Sequence, residues 1–320
     1  MKKMTFILAC LTMAALSANA QISKVILQHQ GNVTMYEPDD IQTAIKDAVD
    51  GDTILLNKGS YPGFTVDKKI SVIGAGDGKT QITSDIEIAI TYINNQAQEL
   101  TANMLEGLNL SLSNKSIRVT KAVNGLKLKK CSFYTLIFRN AVKDVFIDRC
   151  TTGSSIYCYI DLTNVVSLKA KNSWISYLEG KPSSQKLDDV EFINCYFDRP
   201  NVSEKDVVAN FVNSWFYGVQ TYASNCTYNY CLVRTEITKD NKDFYPGSYY
   251  TSTAYYYNEN GRLAVASNNY LGNDGTVVGP DGGTTPYTLT TTAPKILDES
   301  SAVVSTDMKA LNVNIKVTPN

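Results

Sequence analysis

The feature that most constrains this chain is a repeat of about twenty residues in its central part. The stretches "GLKLKKCSF", "DVFIDRCTT", "VEFINCYF" and "ANFVNSWFY" show its outline, in which two short apolar runs meet at a Cys or a Ser. If that residue is numbered zero, apolar residues recur at −5, −3 and +2. The zero positions from Ser113 to Cys231 are 18, 19, 23, 22, 19 and 17 residues apart.

This period predicts a β-solenoid. A single coil cannot bury its own apolar face, so coils stack and equivalent positions form columns with a spacing of about 4.8 Å. The residue before zero is Asn172, Asn194 and Asn213 in three successive coils. Asn accepts the left-handed backbone angles that a sharp bend between strands requires. Cys and Ser recur at position zero because that position is small, inward and stacked.

One segment has the pattern of a helix, "EPDDIQTAIKDAVDG". Its spacing predicts one apolar face, made of Ile41, Ala44, Ile45, Ala48 and Val49. We expect Asp39 or Asp40 to cap the first turn and Gly51 to end the helix in a left-handed conformation. We expect this helix to cover the end of the first coil.

The pattern resembles the right-handed parallel β-helix of the pectin-lyase-like superfamily. The run "IQTAIKDAVDGDTILLNKGSYPGFTVDKKISVIGAG" is similar to the opening coil and capping helix of many such proteins. The run "YLGNDGTVVGPDGGTTPYTL" adds a similarity to exported gut-bacterial β-helix proteins with no assigned activity. The resemblance covers residues 36–272. It implies an all-β, right-handed parallel β-helix with an N-terminal capping α-helix and a short C-terminal β tail.

Residues 1–20 have the organisation of a signal peptide. Lys2 and Lys3 precede a short apolar core, and Ala18-Asn19-Ala20 forms an A-x-A cleavage site. We therefore expect a secreted, periplasmic or cell-surface bacterial protein. In this reading, residues 21–272 form the β-helix domain with its cap, and residues 273–320 form a turn-rich segment and a β tail. No later apolar run has the length of a membrane-spanning helix.

Charge and residue content exclude several classes of partner and chemistry. Without Lys2 and Lys3 the 30 basic residues become 28, against 31 acidic ones, which is a net charge of −3. That balance does not favour nucleic acid or an anionic membrane surface. His29 is the single histidine, so a histidine pair or a His-containing triad is excluded. We predict no cofactor and no metal.

Six cysteines follow residue 20, namely Cys131, Cys150, Cys158, Cys195, Cys226 and Cys231. Cys131 and Cys150 occupy one column in adjacent coils, which brings their Cα atoms within disulfide range. Their side chains point in parallel, however, which favours a column of buried free thiols. The disulfide state stays open at this level.

The strongest functional feature is a row of aromatic residues at position +1. That position faces outward and holds Trp174, Tyr196 and Trp215 in three consecutive coils. Aligned aromatic faces suit flat sugar rings. Alternatively, the Tyr-rich insert 244–257 folds over the row and buries it. Our first hypothesis is a monomeric, non-catalytic protein that binds a glycan or a surface protein through this row.

The second hypothesis is a polysaccharide lyase that acts on acidic glycans. Its substrate would be neutralised by an outward-facing lysine group, with one amine of lowered pKa as the base. The group comprises Lys127, Lys129, Lys169 and Lys171. Asp148 lies among these lysines, so a solvated, salt-bridged face is the competing interpretation. We interpret the pair Asp188 and Asp189 as solvated acids at the start of a strand.

Overall fold

The computed structural model describes residues 23–76, 78–90, 98–99, 104–153, 157–180, 182, 186–198, 207–217, 226–233, 255–257, 263–265, 270–288, 295–296, 301–304, 311–314 and 317–318. The predicted signal peptide and most of the insert 244–257 lie outside these residues. Within them, no helix has the length and apolar character needed to cross a membrane.

Short strands dominate the described chain, with one α-helix and three 3-10 turns. The helix is α1 (Ile41–Asp47), and the 3-10 turns are Pro38–Asp40, Ser111–Ser113 and Leu187–Asp189. The first strands are β1 (Val25–His29), β2 (Asn32–Tyr36), β3 (Thr53–Leu56), β4 (Gly59–Tyr61), β5 (Thr65–Val66), β6 (Ser71–Gly74), β7 (Thr80–Ile82), β8 (Ile86–Ile88), β9 (Gln98–Glu99), β10 (Met104–Glu106), β11 (Ile117–Val119), β12 (Val123–Asn124), β13 (Lys127–Lys129), β14 (Ser132–Phe133), β15 (Leu136–Phe138) and β16 (Val142–Lys143). The later strands are β17 (Val145–Asp148), β18 (Thr151–Thr152), β19 (Tyr159–Asp161), β20 (Leu168–Lys171), β21 (Trp174–Ile175), β22 (Tyr177–Glu179), β23 (Val190–Ile193), β24 (Tyr196–Phe197), β25 (Asn210–Val212), β26 (Trp215–Phe216), β27 (Thr227–Asn229), β28 (Tyr255–Tyr257), β29 (Leu263–Val265), β30 (Lys295–Ile296), β31 (Ser301–Val304), β32 (Leu311–Asn314) and β33 (Val317–Thr318).

The strands build a parallel β-solenoid of about seven turns, which confirms the predicted architecture. The main sheet has 11 strands in the order β2-β1-β3-β6-β10-β13-β17-β20-β23-β25-β27. From β3 onward its neighbours are parallel and come from successive coils. A six-stranded sheet (β22-β19-β15-β11-β8-β5) and a five-stranded sheet (β14-β18-β21-β24-β26) contain the other faces of the coils.

The inward positions of the repeat form the core, as predicted. Every residue at −5, −3 and +2 in the coils from Cys131 to Cys231 is buried. Aromatic side chains stack along these columns. The rings of Phe192 and Phe211 lie 5.3 Å apart, and those of Phe197 and Phe216 lie 4.8 Å apart. A single coil cannot bury its own apolar edge, so this stacking between coils completes the core.

The corner before position zero is left-handed in every one of these coils. Asn172, Asn194 and Asn213 have φ between +47° and +50°, which confirms the prediction. The same corner also holds Lys130, Arg149 and Tyr230, with φ of +52° or +53°. These larger side chains carry a steric cost in this conformation, so stacking between coils imposes the bend regardless of residue type.

Position zero has a second requirement besides small size. The backbone N–H of Cys131 points to Sγ of Cys150 at 3.5 Å, and the N–H of Cys195 donates to Oγ of Ser214 at 3.2 Å. Each side chain thus accepts a hydrogen bond from the corner of the preceding coil. A buried N–H needs an acceptor, which explains why this position holds Cys or Ser in every coil from Cys131 to Cys231 and never Ala.

Helix α1 is shorter than its apolar pattern predicts, and three expectations about it need correction. Asp40 occupies the N-cap position but makes no side-chain capping bond, and Asp39 lies within the preceding 3-10 turn. The helix ends at Asp47 because Ala48 is already extended. Val49 is consequently 49% exposed and leaves the buried face. Gly51 is left-handed (φ +96°), but in the turn that follows the helix.

Side chains from the neighbouring coil tie the helix down instead. Lys68 Nζ donates to the carbonyl of Ile45 at 3.1 Å and to that of Ala48 at 2.6 Å. Gln42 pairs with the backbone of Thr65, since its Oε1 accepts from the N–H at 2.8 Å and its Nε2 donates to the carbonyl at 3.2 Å. Thr65 belongs to β5, the edge strand of the six-stranded sheet, so the helix covers that edge.

Candidate functional site

The aromatic row has the arrangement that the repeat predicts. Strands β21, β24 and β26 pair in parallel and place Trp174 beside Tyr196 and Tyr196 beside Trp215. The ring centroids of Trp174 and Tyr196 are 4.2 Å apart, and those of Tyr196 and Trp215 are 5.0 Å apart. The three rings therefore form one continuous column on the outside of the coils.

Most of this row is covered in the structure. Tyr196 and Trp215 are only 4% and 1% exposed, and they pack in one cluster with Val278. Trp174 stays half-buried, with the Tyr287 ring 6.2 Å away. The cover is residues 270–288, called the covering segment below. That these three aromatic residues contact a ligand stays a prediction, and in this conformation Trp174 alone offers partly accessible ring surface.

The covering segment is held by the corner asparagines. Asn172 Nδ2 donates to the carbonyls of Pro280 at 2.9 Å and Gly282 at 2.7 Å. Asn213 Nδ2 donates to Oδ1 of Asn273, and its own Oδ1 accepts from the Asn273 N–H, both at 2.9 Å. The corner asparagines thus have a second role that the repeat does not reveal, since their partners lie 60 to 110 residues away in sequence.

Glycines allow the covering segment to approach the corner asparagines closely. A Cβ on Gly272 would lie 2.5 Å from the Asn213 amide carbon, and one on Gly283 would lie 2.4 Å from Asn194 Nδ2. Gly283 also has a left-handed φ of +75°. Turns and bends recur through residues 273–285.

Two of the four lysines in the predicted group, Lys129 and Lys169, are paired with acids. Lys169 Nζ lies 2.5 Å from Glu191 Oε2, and Lys129 Nζ lies 3.7 Å from Glu106 Oε1. The register of the main sheet places Glu106, Lys129, Asp148 and Lys171 on four neighbouring strands. Negative and positive side chains therefore alternate along the outward face. This arrangement matches the salt-bridged interpretation of the lysine group.

Among the described lysines, the pKa is lowered at Lys130, which is not one of the four lysines predicted from the sequence. Lys130 is 4% exposed and lies 3.7 Å from the carboxylate of Glu106, which is itself 1% exposed. Burial lowers the pKa of Lys130, while the negative charge of Glu106 acts in the opposite direction. Because Lys130 is buried, it is poorly placed to take a proton from a polymer.

The cysteines have the properties of core residues. All six described cysteines are buried free thiols. Burial raises the pKa of Cys195, Cys226 and Cys231 to about 12, which keeps these sulfurs protonated and poorly nucleophilic. Among the described residues, no group of three or more His, Cys, Asp or Glu side chains is arranged to hold a metal ion. His29 Nδ1 instead lies 2.7 Å from Asp52 Oδ1.

The main sheet carries an open cleft of about 310 Å³ where β17, β20 and β23 begin. Its floor and walls combine an aromatic ring, a hydroxyl, one amine and four carboxylates. The lining residues are Asp144, Val145, Phe146, Ser167, Leu168, Lys169, Asp188, Asp189 and Glu191. The volume lies at the lower end of the usual range for small-molecule sites, about 300–1,000 Å³.

Hydrogen bonds and ion pairs between coils fix the polar groups of the cleft. Ser167 Oγ donates to Asp144 Oδ1 at 2.9 Å and accepts from the Asp144 N–H at 2.7 Å. Lys169 is held against Glu191. The half-buried ring of Phe146 lies on the strand between those of Lys127 and Lys169. Asp188 and Asp189, interpreted from the sequence as a pair of solvated acids, are part of this cleft, which forms because three coils bring their first residues together.

A second group of accessible aromatic residues lies on and beside the six-stranded sheet. Tyr159 and Tyr177 are paired on β19 and β22, with ring centroids 6.3 Å apart and planes at 89°. Both rings are half-buried, and Tyr157 is 64% exposed. Burial raises the pKa of Tyr177, and the nearby charge of Glu179 raises it further. The cleft, in contrast, combines an aromatic ring with four carboxylates and an amine.

Comparisons with protein-family models, with curated proteins and with solved structures find no significant match to this chain. The parallel β-solenoid therefore stands on the structure itself.

Proposed function

We propose that this chain is an exported, non-catalytic β-helix protein that binds a glycan in the cleft on its main sheet, at the cell surface or in the periplasm. The proposal includes the right-handed, pectin-lyase-like form of the solenoid and its cleaved leader. The single observation that carries it is the combination of Phe146 with fixed carboxylates in an open concave surface.

The chemistry of the cleft suits a sugar ring. Carboxylates such as those of Asp188 and Asp189 accept hydrogen bonds from paired hydroxyls, and charged acceptors make the stronger bonds. The face of Phe146 offers apolar contact to the C–H groups of a pyranose. Because Ser167 and Lys169 already hold Asp144 and Glu191 in place, little side-chain entropy is lost when a ligand binds.

Charge selects among glycans. Four carboxylates and one amine line the cleft, a formal charge of −3. Like charges repel at this range in a partly desolvated site, so a polyuronate is disfavoured. The favoured ligands are neutral glycans and glycans with free amino groups. The same charge weighs against the lyase alternative, because two of its lysines, Lys129 and Lys169, are already paired with acids.

The test is isothermal titration of the full chain without its leader against neutral, amino-containing and uronic-acid oligosaccharides. We expect binding of a neutral or amino-containing member, and no release of unsaturated product from uronic-acid polymers. Phe146→Ala should weaken binding about tenfold, equivalent to about 1.4 kcal/mol. Ile137→Ala is the matched control, since Ile137 is a half-buried, outward aliphatic residue on strand β15 of the six-stranded sheet.

The outcomes separate the alternatives. Loss of binding in Tyr177→Ala with none in Phe146→Ala would move the site to the tyrosine surface and overturn the cleft. Selective binding of uronic-acid chains, or unsaturated products from them, would favour the lyase. Absence of binding across the whole panel would contradict glycan recognition and leave a protein partner as the ligand class.

A further inference from the structure

The main sheet ends at strand β2, an edge with which no described strand other than β1 pairs. Asn32, Val33, Thr34 and Met35 are all exposed on it. Natural sheets protect such edges with charged side chains, proline, bulges or a covering element. Strand β2 has no charged residue and no proline.

The outward face of this edge is apolar. Val33 and Met35 are 55% and 66% exposed and lie on the same face of the strand. The register continues Met35 through Ile26, Leu55 and Ile73 on the next three strands of the sheet. Each of these three is only half-buried. Four aligned apolar side chains next to a free strand edge are typical of an interaction surface.

We infer that β2 pairs with β2 of a second copy of this chain, so that two solenoids join end to end through one continuous main sheet. A second copy fits because an antiparallel strand pair can be its own partner across a two-fold axis. With that axis at Thr34, Val33 lies opposite Met35 of the partner subunit, and Met35 lies opposite the partner's Val33. Each exposed apolar side chain thereby gains an apolar neighbour.

The absence of charge on β2 supports a second copy of this chain as its partner. A strand that pairs with itself across a two-fold axis at Thr34 cannot carry a charge at position 34, or like charges at positions 33 and 35, without placing like charges opposite each other. Strand β2 satisfies that condition over all five of its residues. The inference replaces the monomer expected from the sequence with a dimer, and it is independent of the proposed glycan site.

The test measures oligomeric state by light scattering and sedimentation over a series of protein concentrations. We expect the unmodified protein to form a dimer as the concentration rises. Val33→Lys with Met35→Lys should raise the dissociation constant at least tenfold, and so should Val33→Glu with Met35→Glu. Val49→Lys is the control, because Val49 is similarly exposed at the end of helix α1.

Mixing the two double variants tests the register itself. Lysines at 33 and 35 of one subunit then face glutamates at 35 and 33 of the other, so a mixed dimer should form where neither variant dimerises alone. A wild-type chain that stays monomeric at every concentration would overturn the inference. A dimer that survives both double variants, or a mixture that fails to pair, would place the interface elsewhere.

Discussion

The backbone N–H of Cys150 donates a hydrogen bond of 3.1 Å to Oγ of Ser173 in the next coil. The same relationship links Cys195 to Ser214. Position zero of the repeat is therefore a ladder in which each small side chain satisfies a buried N–H of the coil before it. This explains a recurrence of cysteine that has no metal or disulfide behind it in the described residues.

The ladder predicts how Cys195 tolerates substitution. Cys195→Ser should keep the stability of the native chain, because Ser already occupies this column at Ser173 and Ser214. Cys195→Ala should cost about 1–3 kcal/mol, since the buried N–H of Ser173 loses the Cys195 sulfur as its acceptor. Phe192→Ala should cost about 3–5 kcal/mol through the cavity it opens. Denaturant unfolding measures all three, and equal losses for Cys195→Ser and Phe192→Ala would overturn the repeat alignment.

Because the corner asparagines hold the covering segment, replacing one of them should loosen the segment. Asn213→Gly keeps the left-handed corner (φ +49°) but removes both side-chain bonds to Asn273. Proteolysis within residues 270–288 should become faster, and acrylamide should quench Trp215 fluorescence more strongly. Gln30→Gly is the control. Gln30 is also left-handed (φ +46°) and exposed, and it lies in the turn between β1 and β2, away from the covering segment. Unchanged proteolysis would show that other contacts hold the segment.

The burial of the aromatic row predicts unequal effects of its two tryptophans. Trp215 is 1% exposed, so Trp215→Ala should destabilise the fold by about 3–5 kcal/mol. Trp174 is half-buried and should cost clearly less when truncated. Denaturation midpoints of the two variants provide the comparison. Equal small losses would indicate an open row, and the sugar-stacking prediction for Trp174, Tyr196 and Trp215 would then regain its support.

The buried thiols predict a loss of stability at alkaline pH. Their pKa is about 12 in the folded chain, against an ordinary value of 9.0. Above pH 9 the unfolded chain releases thiol protons that the folded chain retains, so unfolding becomes more favourable up to about pH 12. Each thiol contributes a slope of up to about 1.4 kcal/mol per pH unit. Replacing Cys195 and Cys231 by Ser should flatten the decline, and an unchanged slope would contradict this origin.

Removal of helix α1 should expose the end of the first coil. Deleting residues 36–50 removes α1 and its bonds to Thr65, which exposes the edge strand β5. An open end of a solenoid promotes association, so light scattering should detect aggregation. Gln42→Ala, which removes only the two bonds to Thr65, should remain soluble with a lower melting temperature. A truncated chain as stable and disperse as the parent would argue against a capping role.

The repeat by itself determined the solenoid. Residues such as Phe192, Cys195 and Phe197 recur at fixed offsets because stacked coils must place equivalent side chains on equivalent sites. Inward and outward faces follow from the two-residue alternation of strands. Those rules are local, which is why the sequence predicted the core, the left-handed asparagine corners and the aromatic column. Helix capping was predicted less well, because partners from a neighbouring coil, Lys68 and Thr65, replaced local ones.

Only the tertiary structure decided which outward residues are accessible. Trp215 is covered because Asn172 binds the carbonyl of Pro280, 108 residues away, and no local period encodes that contact. The cleft arises in the same way, since Asp144, Ser167 and Asp188 start three different coils and meet only when the coils stack. The exposure of an outward residue depends on irregular segments that dock over long sequence distances. The core depends on the repeat. The sequence pattern therefore carries information about the core but not about exposure.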